Sequence, residues 1–387
     1  MARVIFHIDL NAFFATAEVL RNPELANKPL AVGGHGRKGV VSTASYEARK
    51  YGVHSAMPLF EAKELCPELI VVSGDHAWYE KLSERFIRLI TEYTSTIEQA
   101  SIDECYADMT EAIKQYKHPL DLAYDIQKSL KEKIGLTCSI GIGPNKFLAK
   151  IGSDYKKPNG ITIIRKREIQ TKLWPLPIEA MGGIGNKTAP LLKARNIKTI
   201  GDFAKIENHE IIRQIIGKNA SVYIGYANGE DQSPISNYRE MKSISQSTTL
   251  DDTITDFVQV KTTFNGLVKQ IASRLAAEQV SGNNVGITIR YYDFHTITRS
   301  VTLDKYVSSY EEIMTNCVSL FELNDKEKPI RLLGVSVNNL KSNSEIDDID
   351  LFNYFKNIND TDELISSLNN EMTNNYLFRM SDLIQNK

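Results

Sequence analysis

The chain is poor in cysteine and has no long apolar run. Its four cysteines, at positions 66, 105, 138 and 317, are far apart and form no C-x-x-C pair, which argues against a structural zinc site and a disulfide framework. No apolar run approaches the roughly 20 residues that span a bilayer, and the apolar start before Asp9 is too short for a signal peptide. We therefore expect a protein of the reducing cytoplasm with no membrane partner.

The sequence also lacks a strong excess of basic charge. Its 387 residues carry a net charge of −2. Residues 343–387 hold nine acids and three bases, so this tail carries −6 and the rest of the chain +4. A mildly basic body with an acidic tail is compatible with nucleic-acid binding but does not require it.

The stretch A-S-I-D-E at 100–104 places two acids side by side between alternating apolar residues. This alternation predicts a hairpin of two strands with Asp103 and Glu104 at its bend. Taken alone, the pair is most simply an exposed turn. If it is buried, it needs a divalent metal ion or a nearby Lys or Arg as compensation.

A third acid, Asp9, comes at the end of a predicted first strand, 3–10. It shares one face of that strand with Ile5 and His7, because alternate residues point the same way. An acid that caps the following turn is the competing interpretation of Asp9. Asn11 is the expected N-cap of the next helix.

The elements around these acids follow the β-α-β-β-α-β order of a ferredoxin-like sheet. After the first strand we predict, in order, helices at 12–20 and 75–96, the acidic hairpin, a helix at 120–134, a strand at 136–143, a helix at 146–155 and a strand at 161–164. Residues 11–74 look like a small insert. Within it, Tyr46 and Arg49 lie three apart on a short helix and could grip a phosphate, or form a plain surface stack.

The second half of the chain changes character. Residues 165–230 are helical, and the glycine turn at 181–188 predicts a helix-hairpin-helix motif, whose backbone N–H groups can bind a DNA phosphate; an ordinary helical hairpin is the alternative. A polar, proline-containing linker follows at 231–241. Residues 242–341 alternate strands and helices as a second α+β domain, and the remainder is rich in Asn, Asp and Ser.

Taken together, these motifs resemble the Y-family translesion DNA polymerases, and the bacterial DNA polymerase IV branch most closely. The matching stretches follow the order of that family over about residues 1–341: H-I-D-L-N-A-F-F at 7–14, S-T-A-S-Y-E-A-R-K-Y-G at 42–52, A-S-I-D-E at 100–104, S-I-G-I-G-P-N-K-F-L-A-K at 139–150, K-K-P-N-G at 156–160 and M-G-G-I-G-N-K at 181–187.

The resemblance implies an α+β multidomain fold and an enzyme. Its parts would be a ferredoxin-like palm (1–10 and 75–165), a fingers insert (11–74), a helix-hairpin-helix thumb (166–230), a linker (231–241), a little-finger domain (242–341) and an acidic tail (342–387). The expected activity is template-directed, error-prone DNA synthesis opposite lesions in DNA repair. It would transfer dNTPs to a primer 3′-hydroxyl with release of pyrophosphate and without proofreading. We expect a monomer that works in the cytoplasm, on nucleoid DNA.

The resemblance also assigns roles to individual residues. Asp9 and Asp103 would bridge two Mg²⁺ ions, Glu104 would hold the catalytic ion, and the Leu10 carbonyl would complete the nucleotide-bound site. The remaining assignments are Tyr46, Arg49, Lys157, Ser42 and Phe13 for the nucleotide, Phe14 as the steric gate against ribose, and Gly183, Gly185 and Lys187 for DNA. Without ligand, we expect the acids to be under electrostatic strain, with Lys157 or water as a partial substitute.

The tail carries one further resemblance. Residues 348–352, D-I-D-L-F, are similar to the peptide with which many bacterial members dock on the sliding clamp. Asp348 stands where that peptide has Gln, which weakens its polar anchor, while Leu351 and Phe352 keep the residues for an apolar pocket. A helix that packs back on the body is the alternative.

Two other functions compete with the polymerase. A nucleotide cyclase shares a ferredoxin-like palm with paired acids, although the helix-hairpin-helix motif and the separate C-terminal domain count against it. A non-catalytic DNA-binding scaffold is the second, although it has no need for Asp9, Asp103 and Glu104.

Overall fold

The computed structural model describes residues 3–34, 38–237, 240–324 and 328–346. The chain divides into two compact units, with the boundary between residues 239 and 240. This boundary falls inside the stretch 231–241, for which the sequence predicts a linker. No helix within the described ranges is long and apolar enough to cross a membrane.

The first unit begins with the strands and helices that surround the predicted acids. In chain order they are β1 (Ile5–Leu10), α1 (Phe13–Arg21), β2 (Leu30–Gly33), β3 (Val41–Ala44), α2 (Tyr46–Arg49), α3 (Leu59–Leu65), β4 (Ile70–Val72), α4 (His76–Thr91), β5 (Ile97–Gln99), β6 (Glu104–Asp108), α5 (Pro119–Lys133), β7 (Cys138–Gly143), α6 (Lys146–Tyr155) and β8 (Ile161–Ile163).

The central sheet of this unit has the strand order β5-β6-β1-β7-β8. Strand β1 lies antiparallel between β6 and β7, and β8 joins β7 in parallel. A parallel pair needs a crossover connection, which α6 supplies. Without β8 the strand order is that of the ferredoxin-like fold, so the predicted α+β fold class is confirmed.

The two faces of this sheet have different partners. Phe6, Ile8 and Leu10 of β1 are buried in a core with α1, α4 and α5, and burying a side chain of this size contributes about 1.5–3 kcal/mol. The alternate residues of β1 point to the opposite face, where Ile5 packs with Ala149 of α6. His7 and Asp9 therefore lie on the α6 face.

Helix α6 lies unusually close to the sheet because glycines face each other across the contact. A Cβ built on Gly141 of β7 would come within 1.8 Å of the Ala149 carbonyl oxygen, and one on Gly152 of α6 within 2.9 Å of the Gly141 Cα. Asn145 caps the helix by accepting a hydrogen bond from Leu148 N at 2.9 Å, and its amide donates to Gly229 O. The position of α6 relative to β1 is thus tightly constrained.

A smaller sheet, β3-β2-β4, forms within residues 30–72. Strands β2 and β4 are parallel, and β3 is antiparallel to β2. The sequence does not predict β4, because three residues are too few for a periodic pattern. Leu30 and Val32 of β2 join the core of the central sheet, as does α1, so the predicted division between palm and fingers after residue 10 stays a prediction.

Two details of the sequence reading are wrong. Asn11 does not cap α1: the N-cap position is held by Ala12, which has a left-handed backbone (φ 44°) and makes no capping side-chain bond. Helix α4 ends at Thr91, whereas the prediction continued it to residue 96.

The end of the first unit is helical, as predicted. It contains α7 (Ala189–Lys193), α8 (Ile200–Ala204), α9 (His209–Ile216) and α10 (Ala220–Ala227), with short 3₁₀ or π turns at Lys166–Glu168, Ile169–Leu173, Ile178–Ala180, Ile206–Asn208 and Gly217–Asn219. The residues that follow lie against the same unit: the Asn237 amide accepts from Ile97 N at 3.1 Å and donates to Ser95 O at 2.8 Å. The predicted linker therefore begins as a docked segment.

The second unit is an antiparallel sheet with two helices. Its elements are β9 (Ser243–Ile254), α11 (Phe257–Ala277), β10 (Val280–Tyr291), β11 (Thr296–Val307), α12 (Tyr310–Glu322) and β12 (Ile330–Ser342), and the strand order is β11-β10-β12-β9. Val285, Ile287 and Ile289 are buried with both helices. The opposite face carries polar side chains such as Thr288 and Arg290, which are half-buried.

Candidate active site

The carboxylates of Asp9 and Glu104 lie next to each other where β1 and β6 pair. Asp9 lies directly opposite Glu104 in the antiparallel register, and residues paired in this way point to the same face of the sheet. The backbone of Asp103 joins the same point, because Leu10 N donates to Asp103 O at 3.0 Å. The pairing of β1 and β6 thus brings Asp9 next to Glu104 and to the backbone of Asp103, although the sequence places them about 95 residues apart. It also places the Leu10 backbone at this point.

Asp9 is the most buried of the three, with 6% of its surface exposed. Its Oδ2 accepts from Lys157 Nζ at 2.6 Å. Burial raises the pKa of Asp9 to about 7; Lys157 works against that shift, and the neighbouring Glu104 adds to it. Burial also acts against the charge of Lys157, but Asp9 and Asp154 outweigh it and raise the lysine pKa above its ordinary value. Lys157 is therefore the partial substitute expected from the sequence.

Glu104 is held on one oxygen. Its Oε2 lies 2.9 Å from Lys150 Nζ and 3.5 Å from His7 Nε2. These two neighbours, His7 first, hold the pKa of Glu104 well below its usual range, although burial acts in the opposite direction. Glu104 is thus a carboxylate that keeps its negative charge at neutral pH.

Asp103 precedes β6, in the bend of the predicted hairpin. Its Oδ1 accepts from Ser101 Oγ at 2.6 Å, and the same hydroxyl accepts from Asp103 N at 3.3 Å. Each of the three acids is therefore satisfied separately, by a lysine or a hydroxyl. Within the described ranges, no three His, Cys, Asp or Glu side chains converge as a ready metal cluster. This separation has a physical reason: like charges repel unless a cation lies between them.

Helix α6 and the loop after it supply most of the basic groups around the acids. Lys150 contacts Glu104, Ser153 contacts His7 and Lys157 contacts Asp9. The sequence reading singled out Lys157 alone from this group. Lys150 and Ser153 are three apart and so share a helix face, and His7 shares a strand face with Asp9; these spacings were the signals that could have identified them.

Asn11 is a further residue whose role was missed. Its amide donates to Asn159 Oδ1 at 2.8 Å and to Thr137 Oγ1 at 3.2 Å, and its Oδ1 accepts from Ser139 Oγ. Asn159 lies two residues after Lys157. Instead of capping a helix, Asn11 therefore ties the loop that carries Lys157 to β1 and β7.

The predicted phosphate-gripping pair lies on α2. The guanidinium of Arg49 stacks over the Tyr46 ring at 4.7 Å, and Arg49 Nε donates to Ala44 O at 3.0 Å. Burial raises the pKa of Tyr46, and the charges of Arg49, Lys157 and Asp9 also act on it. Tyr46 therefore lies near Asp9 and Lys157. Ser42, on the preceding strand, is exposed.

Phe14 is part of an aromatic cluster. Its ring is stacked on Tyr79 at 4.3 Å between centroids and meets His76 edge-on at 5.8 Å. The Tyr79 hydroxyl in turn donates to Glu18 at 2.7 Å. Phe13 has 2% of its surface exposed, and its ring centroid lies 5.5 Å from that of Phe14. Contacts with other aromatic rings thus hold the half-buried Phe14 ring in place, whereas Phe13 is a core residue in this structure.

The predicted DNA-contact residues occupy the turn that precedes α7. Gly183 has a left-handed backbone (φ +90°), and a Cβ there would come within 2.0 Å of the Tyr223 hydroxyl. Gly185 and Lys187 are exposed. The remaining predicted residues, Leu351 and Phe352, lie outside the described part of the chain.

Known proteins match nearly the whole chain. Family models described as the impB/mucB/samB family, its HHH motif and its C-terminal domain match residues 8–154, 166–197 and 241–351. DNA polymerase IV of Oceanobacillus iheyensis is 42% identical, over 91% of this chain and 85% of its own length. DNA polymerase IV 1 of Bacillus subtilis is 39% identical, over 97% and 91%.

Solved structures give the same picture. A chimeric Y-family DNA polymerase of Dbh and Dpo4 superposes with a TM-score of 0.80 at 29% identity, covering 88% of this chain and all of the other. An insertion ternary complex of Dbh DNA polymerase has the same identity and coverage, with a TM-score of 0.63.

Proposed function

The chain belongs to the DNA polymerase IV branch of the Y-family DNA polymerases, and from this premise we propose that Asp9, Asp103 and Glu104 form its catalytic centre. It is a template-directed DNA polymerase that acts in translesion synthesis on primer-template DNA with dNTPs, and its family depends on divalent metal ions. The observation that carries the assignment to residues is the register of β1 and β6, which sets Asp9 against Glu104 beside Asp103.

The donor set fits Mg²⁺. Mg²⁺ prefers hard oxygen ligands and few carboxylates, and the three acids with the Leu10 carbonyl are all oxygen donors. Asp9 and Asp103 would hold both ions, Glu104 the catalytic ion, and Leu10 O the nucleotide-bound one. Bound there, two ions would activate the primer 3′-hydroxyl and stabilise the leaving pyrophosphate. The burial of Asp9 supports this fit, because burial raises the pKa of its carboxyl group, and a cation in addition to Lys157 would stabilise the charged form.

Two basic side chains and one tyrosine would bind the triphosphate of the dNTP. Lys157, which pairs with Asp9 in this structure, would meet phosphate oxygens of the dNTP, together with Tyr46 and Arg49. Phosphoryl transfer depends mainly on such positioning and charge stabilisation. Ser42 would line the roof over the nascent base pair. A contact of Phe13 with the nucleotide stays a prediction. The buried Phe13 ring packs against the Phe14 ring.

The direct test is single-nucleotide incorporation on undamaged and abasic templates. We expect no extension in EDTA and saturable recovery as Mg²⁺ is added. A cyclic product from one nucleotide without primer-template would support the cyclase alternative. DNA binding with no incorporation in Mg²⁺ or Mn²⁺ would support a scaffold.

Phe14→Ala is expected to admit ribonucleotides. The ring stacked on Tyr79 would lie under the sugar and clash with a 2′-hydroxyl, so its removal should raise rNTP use relative to dNTP use by about 10–100-fold, roughly 1.4–2.8 kcal/mol. The measurement is the ratio of kcat/KM for a matched rNTP and dNTP.

Two variants serve as controls for this gate. Phe14→Tyr keeps the bulk and should keep sugar selectivity, and Phe60→Ala removes an exposed ring from α3. Unchanged selectivity in Phe14→Ala would remove Phe14 as the gate.

Two surfaces would extend the polymerase beyond its catalytic centre. The exposed turn with Gly183, Gly185 and Lys187 would contact DNA phosphates through backbone N–H groups and one cation. Residues 348–352 would dock on a sliding clamp through Leu351 and Phe352.

The docking peptide can be tested with residues of the tail itself. Alanine at both Leu351 and Phe352 should reduce stimulation of synthesis by the clamp and leave synthesis without clamp intact. Alanine at Leu377 and Phe378, a second Leu-Phe pair in the tail, is the matched control. Asp348→Gln should strengthen stimulation by restoring the polar anchor. Equal stimulation of all variants would contradict docking.

A further inference from the structure

His7 is a buried histidine that lies between helix α6 and Glu104. It is 0% exposed. Its Nδ1 lies 2.7 Å from Ser153 Oγ, and its Nε2 lies 3.5 Å from Glu104 Oε2. The ring also packs against Tyr106, with 4.6 Å between centroids. Among the described residues, Nε2 makes no hydrogen bond of standard geometry, and its polar contact is the 3.5 Å approach to Glu104 Oε2.

The position of one proton decides what this contact does. A neutral imidazole carries a single N–H, on Nδ1 or on Nε2. If the proton is on Nδ1, the Nε2 lone pair faces the Glu104 carboxylate, which is repulsive. If it is on Nε2, the ring donates to the carboxylate and needs a donor for Nδ1.

Ser153 can be that donor. Its Oγ lies between His7 Nδ1 and Lys150 O, which is 2.8 Å away. Lys150 O is inside α6 and faces the N–H four residues later, so it does not depend on the serine. Donation from Ser153 to Nδ1 therefore satisfies His7 fully, whereas donation to Lys150 leaves Nε2 without a proton.

We propose that His7, held by Ser153, is a positioning residue that carries a proton on Nε2, directs it at Glu104 Oε2 and orients this carboxylate opposite Asp9. The proposal rests on the proposed function of Glu104. Both His7 and Lys150 contact Oε2, which leaves Oε1 free of these donors for the cation. The Lys150 side chain is 38% exposed and flexible, whereas the His7 ring is locked in the sheet, so His7 fixes the orientation.

The first test is spectroscopic. In the full-length protein labelled with ¹⁵N-histidine, the His7 signals should show a proton on Nε2, and Ser153→Ala should reduce the proton occupancy of Nε2. Ser83→Ala, which removes another buried serine hydroxyl, should leave the His7 signals unchanged. A wild-type ring protonated on Nδ1 alone would overturn the proposal.

The second test separates positioning from folding. His7→Met fills the space without a donor, and we expect kcat and Mn²⁺ affinity to fall by about 10–100-fold, the usual cost of losing such a supporting contact. The KM for dNTP, DNA affinity and melting temperature should stay near wild type. His7→Gln can donate again and should recover to within roughly tenfold of wild type. Wild-type kcat and Mn²⁺ affinity in His7→Met would overturn the proposal.

These variants distinguish failure of the assignment of Glu104 from failure of the positioning role of His7. If Glu104→Gln retains full activity, the proposed function of Glu104 falls whatever the tautomer of His7. If Glu104→Gln is inactive while His7→Met and Ser153→Ala both behave as wild type, the positioning role falls alone. Should His7→Met not fold, Ser153→Ala carries the test, because it removes one hydroxyl and leaves the ring in place.

Discussion

Asp103→Ala is expected to reduce primer extension by about 10³-fold or more, which corresponds to roughly 4 kcal/mol of transition-state stabilisation. The loss follows from the removal of one of three carboxylates proposed to hold Mg²⁺. The expected change lies in kcat under saturating DNA and dNTP, measured in single-turnover incorporation. The fold should be unaffected, because within the described ranges the Asp103 side chain hydrogen-bonds to Ser101 alone.

The matched control for Asp103 is Asp154→Asn. Asp154 pairs with Lys157 at 2.8 Å, so this change also removes a negative charge beside the centre, at a residue with no proposed metal contact. We expect a loss below about tenfold. Equal losses in both variants would mean that general electrostatics, and not coordination, explains the effect. Mg²⁺-dependent extension retained in Asp103→Ala would end the catalytic assignment.

Gly141→Ala is expected to destabilise the first unit by about 3 kcal/mol or more. The new methyl would meet the Ala149 carbonyl oxygen at 1.8 Å and Ser153 N at 2.3 Å. Both are backbone atoms of α6, so no side chain can turn aside, and overpacking of this kind typically costs about 1–3 kcal/mol or more. The melting temperature should fall by roughly 6–12 °C.

Tryptophan fluorescence reports this change cleanly. The two tryptophans of the chain, Trp78 and Trp174, both lie in the first unit, so their signal follows that unit alone. Gly182→Ala is the control, because a Cβ there meets nothing within 4 Å and its backbone is not left-handed. If Gly141→Ala has the same melting temperature as Gly182→Ala, helix α6 can move away from the sheet. The tight placement of Lys150 and Ser153 is then not needed for stability.

Local sequence patterns predicted several of the strands and helices correctly. Apolar alternation identified the hairpin around Asp103 and Glu104, and helical periodicity identified α5 and α6 to within a residue. These patterns work because the side chains of a half-buried element must alternate with its own period. They failed at β4, whose three residues hold no period, and at Asn11, whose residue type suits a cap equally well.

The groups around the acids were harder to predict than the acids. Lys150, Ser153 and Asn11 act across distances of 46 to 148 residues along the chain. Such contacts depend on how closely α6 packs on β1, and that packing depends on Gly141 and Gly152, which have no side chain to leave a pattern. Tyr79 likewise becomes a support for Phe14 only when α4 is placed against α1.

By itself the sequence determined the type of fold and the family and led to the proposal of the three acids, because strand periods, turn residues and the spacing of motifs are local properties. It also led to the expectation of Lys157 as a substitute partner, which Asp9 has in the structure. The tertiary structure alone decided how the other two acids are held: Glu104 by Lys150 beside His7, and Asp103 by Ser101. The physical reason is that the pairing of buried charges depends on distances between elements, and those distances are set by packing, which no local pattern encodes.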